Sequence, residues 1–157
     1  MKRLGYTTAT AVFVADQLVK YWITVILDLR ARIMVPVFPG FNLTWVENSG
    51  VSMGLLRAEG NLGRWLLVAV TLAIAGGVAV WITREANRID AMALGLVLGG
   101  ALGNIVDRVR YGYVVDFFDV YWRDHHFYVF NVADAAITVG VIVLLVRAAV
   151  APSAKPV

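Results

Sequence analysis

Residues Trp65 to Thr83 form an unbroken run of nineteen residues without a charge. At about 1.5 Å per residue, a helix of that length is roughly 28 Å long, close to the thickness of a bilayer's hydrocarbon core. Arg64 and Trp65 stand at one end and Trp81 and Arg84 at the other, as interfacial anchors do. A chain carrying such a segment folds around a membrane. Three more runs repeat the signal. Ala91 to about Val106 is uncharged, with Asn104 near its end. Leu4 to Leu27 is apolar except around Asp16, Gln17 and Lys20, and Phe127 to Val146 has Asp134 as its only charge. The expected helices are 4–27, 63–83, 90–108 and 131–149, within one integral membrane domain over residues 1–157.

Composition agrees: 60% of the 157 residues are hydrophobic and 16% are charged, with a mean hydropathy of +0.73. A soluble domain averages about 45–50% apolar and about 25% charged residues. The same figures exclude disorder, collagen, coiled coil and a disulfide-stapled module. There are no cysteines, which removes thiol nucleophiles, disulfides and thiolate metal sites. The net charge of +3 comes from scattered residues with no Lys/Arg cluster longer than two, so no nucleic-acid partner is expected.

Met-Lys-Arg before an apolar stretch has the outline of a cleavable signal peptide, but hydrophobicity resumes after Lys20. The first segment is therefore expected to remain as a helix. Four spans put both termini on one side, and Lys2 and Arg3 favour the cytoplasmic one. The connections 28–62 and 109–130 then share the opposite face. The first contains Pro36, Pro39 and the alternating Phe41-Asn42-Leu43-Thr44-Trp45, which reads as a strand. The second carries Tyr111, Tyr113, Phe117, Phe118, Tyr121 and Trp122 among charges, a mixture suited to the headgroup region. The expected fold class is an all-α membrane protein, four transmembrane helices with a small β-rich extracytoplasmic loop region.

A charge at membrane depth costs about 2.5–3.5 kcal/mol on insertion scales, so each one needs a reason. Asp16 and Lys20 are an i, i+4 pair, either neutralising each other or supporting a site. Asp107 beside Arg108, following Asn104, reads as a paired acid at a helix end. Gly95, Gly99 and Gly103 recur every four residues, a stripe that admits a neighbouring helix. Asn131 and Asp134 have the spacing of a capping box, Asn as N-cap and Asp at the third position. Asp116, in Tyr-Val-Val-Asp-Phe-Phe, has no such ordinary explanation. Asp116 and Asp134 bracket one connection, so both can face one pocket.

Two carboxylates close together at low dielectric share a proton, leaving an acid beside a base. The base can take a proton from water while the acid donates to a carbonyl oxygen, which hydrolyses an amide without a covalent intermediate. The alternatives are thinner. His125 and His126 are adjacent and poorly placed to share a metal, and no metal site is expected. Ser49 or Ser52 with Lys20 would make a Ser-Lys dyad, but Lys20 already has Asp16 beside it. The glycines of the third helix lack the strand and Lys-Ser/Thr of a phosphate loop. A proton relay through Asp16, Asp107 and Asp134, as in a small transporter, and a non-catalytic scaffold packed on the glycine stripe are the competing classes.

Five blocks in order carry a family likeness: Asp16-Gln17-x-x-Lys20; Asn48-Ser49-Gly50-Val51-Ser52-Met53-Gly54; Gly99 through Arg108; Val115-Asp116-Phe117; and Phe130-Asn131-Val132-Ala133-Asp134. Over nearly the whole chain they resemble the lipoprotein signal peptidases, the type II signal peptidases of bacteria. The resemblance implies an intramembrane aspartyl endopeptidase whose catalytic pair is Asp116 and Asp134. It implies supporting or substrate-contacting roles for Asp16, Lys20, Asn48, Gly50, Asn104, Asp107, Arg108 and Asn131. It also implies no cofactor, a diacylglyceryl prolipoprotein substrate cut just before its lipidated cysteine, contact with membrane lipid, a monomer, and a place in the bacterial inner membrane with the site near the extracytoplasmic face. Many members have Ala-Phe where this chain has Ser52-Met53, a change expected to alter pocket packing rather than activity.

Overall fold

The computed structural model describes residues 1–50 and 61–150, so Ser52 and Met53 lie outside the described residues. In chain order the elements are α1 (Lys2–Tyr21), a π-helical turn (Trp22–Ile26), α2 (Leu29–Arg32), β1 (Met34–Phe38), β2 (Phe41–Asn48), α3 (Asn61–Arg84), α4 (Arg88–Tyr111), β3 (Val114–Trp122), β4 (His125–His126) and α5 (Val132–Val150). Among the described residues, four helical segments are long and apolar enough to cross a bilayer: Lys2–Ile26, Leu62–Arg84, Arg88–Tyr111 and Val132–Val150. The architecture is a four-helix membrane bundle carrying a small antiparallel sheet.

The central helix is α4, with 56% of its span buried against at most 22% of any other. Its sequence makes this possible. A Cβ on Gly95 or Gly99 would lie 2.4 Å from the carbonyl oxygen of Gly5 or Ala9 in α1. Gly100 meets α5 instead, where a Cβ would come 2.4 Å from the Ala133 oxygen. Only glycine permits these backbone approaches, which is how small residues hold helices together where lipid removes the hydrophobic drive. The stripe of Gly95, Gly99 and Gly103 faces α1 throughout, and at its last position a Cβ would sit 2.5 Å from Asp16 Oδ2, a side chain of the polar site. Asn87 caps the start of α4, accepting from Ile89 N at 2.8 Å, and Gly112 ends it in the left-handed region at φ +88°.

The two connections expected on one face fold together. β2 and β3 pair antiparallel, with Val46 opposite Asp116 and Asn48 opposite Val114, and β1 and β4 extend the sheet to the order β1-β2-β3-β4. The strand read over Phe41–Trp45 runs on to Asn48. The aromatic-rich second connection contributes a nine-residue strand, β3. Its period is hidden because Val114, Val115, Asp116 and Phe117 are all buried, one side against the polar site and the other against Ile23, Leu29 and Leu43. The apolar run beginning at Phe127 does not enter α5 at once. Phe127 to Phe130 stays outside the helix, and Phe130 bridges Phe118 through paired backbone hydrogen bonds of 2.8 and 3.1 Å. Asn131 then caps the helix, so the span starts at Val132.

Candidate active site

Asn131 is the hub of the polar site. Its Oδ1 accepts from Asp134 N at 2.9 Å, and Asp134 Oδ2 accepts from Asn131 N at 3.3 Å. This is the reciprocal capping box its spacing suggests, and it satisfies two of the helix's orphan donors. The side-chain amide of the same residue donates to Asp116 Oδ1 at 2.7 Å, to Asn104 Oδ1 at 3.2 Å and to the Val115 carbonyl at 3.3 Å. One fully buried residue thus links the carboxyl of β3 to the carboxyl of α5.

Each of those carboxyls has a further donor. Asn104 Nδ2 donates to Asp134 Oδ1 at 2.7 Å, and Asn48 Nδ2 donates to Asp116 Oδ2 at 2.9 Å. Asn48 comes from the end of β2, and its Nδ2 also donates to the Tyr128 hydroxyl at 2.8 Å. Gly50 N donates back to Asn48 Oδ1 at 3.2 Å, fixing which way that amide faces. Arg108 Nη1 donates to the Asn104 carbonyl at 3.4 Å, which leaves its guanidinium in the field of Asp134, Asp116 and Asp107.

Asp116 is 1% exposed, and burial raises its pKa to about 7. The hydrogen bonds from Asn48 and Asn131 oppose that rise, and the charge of Asp134 adds to it. The result is a carboxyl that is an effective acid at neutral pH, beside a second carboxyl held by amide donors.

Behind this pair lies a buried ionic cluster. Lys20 Nζ is 2.9 Å from Asp16 Oδ2, 2.7 Å from Asp107 Oδ2 and 3.3 Å from Asn104 Oδ1. Gln17 Nε2 adds a bond to Asp16 at 3.1 Å. Both acids also hold backbone: Asp16 Oδ1, its other oxygen, accepts from Ala133 N at 3.0 Å, and Asp107 Oδ2, the oxygen already on Lys20, accepts from Val115 N at 3.2 Å. The cluster therefore fastens α1 and α4 to the first turn of α5 and to the strand next to Asp116. Neither open alternative for Asp16 and Lys20 was complete, since the lysine serves two acids. With three partners on its ammonium, Lys20 is not placed to act as a free base for Ser49, and Ser52 lies outside the described residues.

Another polar cluster, on the sheet, escaped the sequence reading. Asp119, 2% exposed, accepts from Thr44 Oγ1 at 2.8 Å and lies 2.8 Å from His126 Nδ1. Burial works against its ionisation, but the hydrogen bonds from His126 and Thr44 and the histidine's charge hold its pKa below the usual carboxylate range. It ties β2, β3 and β4 together. Among the described residues no group of three metal-binding side chains comes together.

The chain matches the family model of signal peptidase (SPase) II over residues 8–150. It is 53% identical to the lipoprotein signal peptidase of Rhizorhabdus wittichii, covering 92% of this chain and 85% of that one. It is 50% identical to the lipoprotein signal peptidase of Sphingopyxis alaskensis, covering 93% and 85%. A solved structure described as a bacterial membrane enzyme at 2.3 Å resolution superposes with a TM-score of 0.78 at 30% identity, covering 98% of this chain and 93% of that one. The chain belongs to the signal peptidase II family, the lipoprotein signal peptidases, which are aspartic-type peptidases of the membrane.

Proposed function

We propose that Asp116 and Asp134 are the catalytic pair and share one proton around a water molecule. The observation that carries this is the bridge of Asn131, bonded to both carboxyls at once. The carboxylate of the pair takes a proton from water as the water oxygen attacks the scissile carbonyl carbon. The protonated partner, Asp116 with its pKa near 7, gives its proton to the carbonyl oxygen. Collapse of the tetrahedral diol returns a proton to the leaving nitrogen as the C–N bond breaks, and the pair is left again with one proton. Asn48, Asn104 and Asn131 keep the two carboxyls oriented, and the Lys20 cluster keeps the elements that carry them in register.

The substrate is a bacterial prolipoprotein whose cysteine already bears diacylglycerol, cut just before that cysteine to release the signal peptide. Membership of the family supports this, and so does the site's position at the sheet end of the bundle, where a lipid-bearing peptide meets the interface. Lys2 and Arg3 favour cytoplasmic termini in the inner membrane, with the sheet and the site at the extracytoplasmic face. We read the enzyme as a monomer, because Asp116 and Asp134 are both held by donors of their own chain, Asn48, Asn104 and Asn131. A proton-coupled transporter is not supported: the family is one of peptidases, and Asp107, Asp116 and Asp134 gather at one end of the bundle instead of stacking through its depth.

The test is cleavage of a diacylglyceryl prolipoprotein peptide by detergent-solubilised protein. Asp116→Asn and Asp134→Asn are each expected to lower kcat by at least about a thousandfold while leaving the protein folded. Substantial cleavage by either folded variant sinks the assignment.

A further inference from the structure

At the opposite end of the bundle from the site, the first turns of α1 and α4 flank a cleft of about 680 Å³ lined by Lys2, Arg3 and Leu4 on one side and Arg88 and Met92 on the other. Its three cationic side chains are exposed and make no ion pair or side-chain hydrogen bond among the described residues. The acids nearest in sequence are engaged elsewhere. Glu85 Oε1 accepts from Asn87 N at 2.8 Å, and Asp90 is paired with Arg147. Three positive charges with no ion-pair partner among the described residues therefore converge on one concave site. Below them the walls turn apolar: Leu4 is half-buried and Met92 is 45% exposed.

We propose that this cleft is a binding site for an anionic phospholipid. Lys2, Arg3 and Arg88 hold the phosphate headgroup while the acyl chains run down past Leu4 and Met92. Charge complementarity selects the headgroup, and basic pockets between membrane helices take anionic lipids for this reason. A soluble anion would use the cations but not the apolar wall, which makes the lipid the better fit. The site is independent of the peptidase reading and lies a bundle's length away from Asp116.

Native mass spectrometry of the detergent-solubilised protein, with phosphatidylglycerol or phosphatidylcholine added at defined concentrations, tests it. Each cation near an anionic lipid is worth roughly a fivefold change in affinity, so the three together predict a preference for phosphatidylglycerol on the order of a hundredfold. Lys2→Gln/Arg3→Gln/Arg88→Gln is expected to abolish the preference, Arg88→Gln alone to reduce it about fivefold, and Arg84→Gln, outside the cleft, to leave it intact. Cleavage activity and Tm in phosphatidylcholine-doped detergent are expected to be unchanged, which separates a lost lipid from a lost fold. Equal retention of the two lipids by the wild type, or a preference that survives the triple variant, overturns the proposal. So does displacement of phosphatidylglycerol by millimolar inorganic phosphate, which would mark a site for free anions.

Discussion

Asp16 Oδ1 lies 3.0 Å from the backbone nitrogen of Ala133, so a carboxylate in the first membrane helix caps the first turn of the last one. The other oxygen of Asp16 meets Lys20, which also neutralises Asp107. Removing one member of a buried ionic set leaves the rest uncompensated, typically at about 3–5 kcal/mol. Asp16→Ala is therefore expected to lower Tm strongly in detergent, measured by tryptophan fluorescence, with activity lost alongside the fold. Asp116→Asn is expected to lose activity with no fall in Tm at neutral pH. Should Asp16→Ala retain the wild-type Tm, the residue does not anchor α5 as described.

The pKa of Asp116 sets the sign of a pH effect on stability. Its value in the folded protein is raised from 3.8 to about 7. An acid with a raised folded pKa favours folding at low pH, and that contribution is lost as pH climbs from about 4 through about 7. The full difference is on the order of 4 kcal/mol. The Tm of the wild type minus that of Asp116→Asn should therefore fall steadily between pH 4 and pH 8. A flat difference would mean that Asp116 is ionised throughout.

What the sequence made legible was what travels in local patterns. The four spans follow from charge-free runs, and the Asn131–Asp134 cap follows from a three-residue spacing that the structure turns into two hydrogen bonds. Asp116 stood out because nothing local explained it. The rest depends on contacts between distant residues. Asn48 reaches Asp116 across 68 positions and Asp16 reaches Ala133 across 117, and neither separation has a periodicity to betray it. β3 was obscured for a different reason: both of its faces are buried, which erases the alternation that marks a half-exposed strand. Phe127–Phe130 is as apolar as the helix that follows, and the Asn131 cap, not hydropathy, marks where α5 begins.

The glycines separate packing from permissiveness. A Cβ at Gly99 would meet the Ala9 carbonyl oxygen at 2.4 Å, whereas one at Gly76 meets nothing within 4 Å. Gly99→Ala must push α1 away from α4, and with it Asp16 and Lys20. It is expected to lose about 2–4 kcal/mol of stability and most of the activity. Gly76→Ala should change both by less than about 0.5 kcal/mol. Thermal denaturation and cleavage measured on the two variants side by side decide this, and a tolerant Gly99→Ala would show that the two helices are not held at backbone contact.

Asn48 offers a finer probe of the proposed pair, because it acts on Asp116 without being charged. Its amide donates to Asp116 Oδ2 at 2.9 Å, and that bond favours the ionised carboxylate against the burial that raises its pKa. On the proposed mechanism the protonated form of Asp116 is the acid, so kcat should fall on the alkaline side with an apparent pKa near 7. Asn48→Ala removes a donor to the charged form and so pushes that pKa further up. The alkaline limb of the kcat profile is expected to move to higher pH by about half a unit to one unit, while kcat itself drops as Asp116 loses its orientation. Asn48→Asp places a second charge beside the carboxyl and should move the limb in the same direction, and further. A purely structural role for Asn48 would lower kcat at every pH and leave the limb where it was. A shift to lower pH would contradict the assignment of Asp116 as the acid.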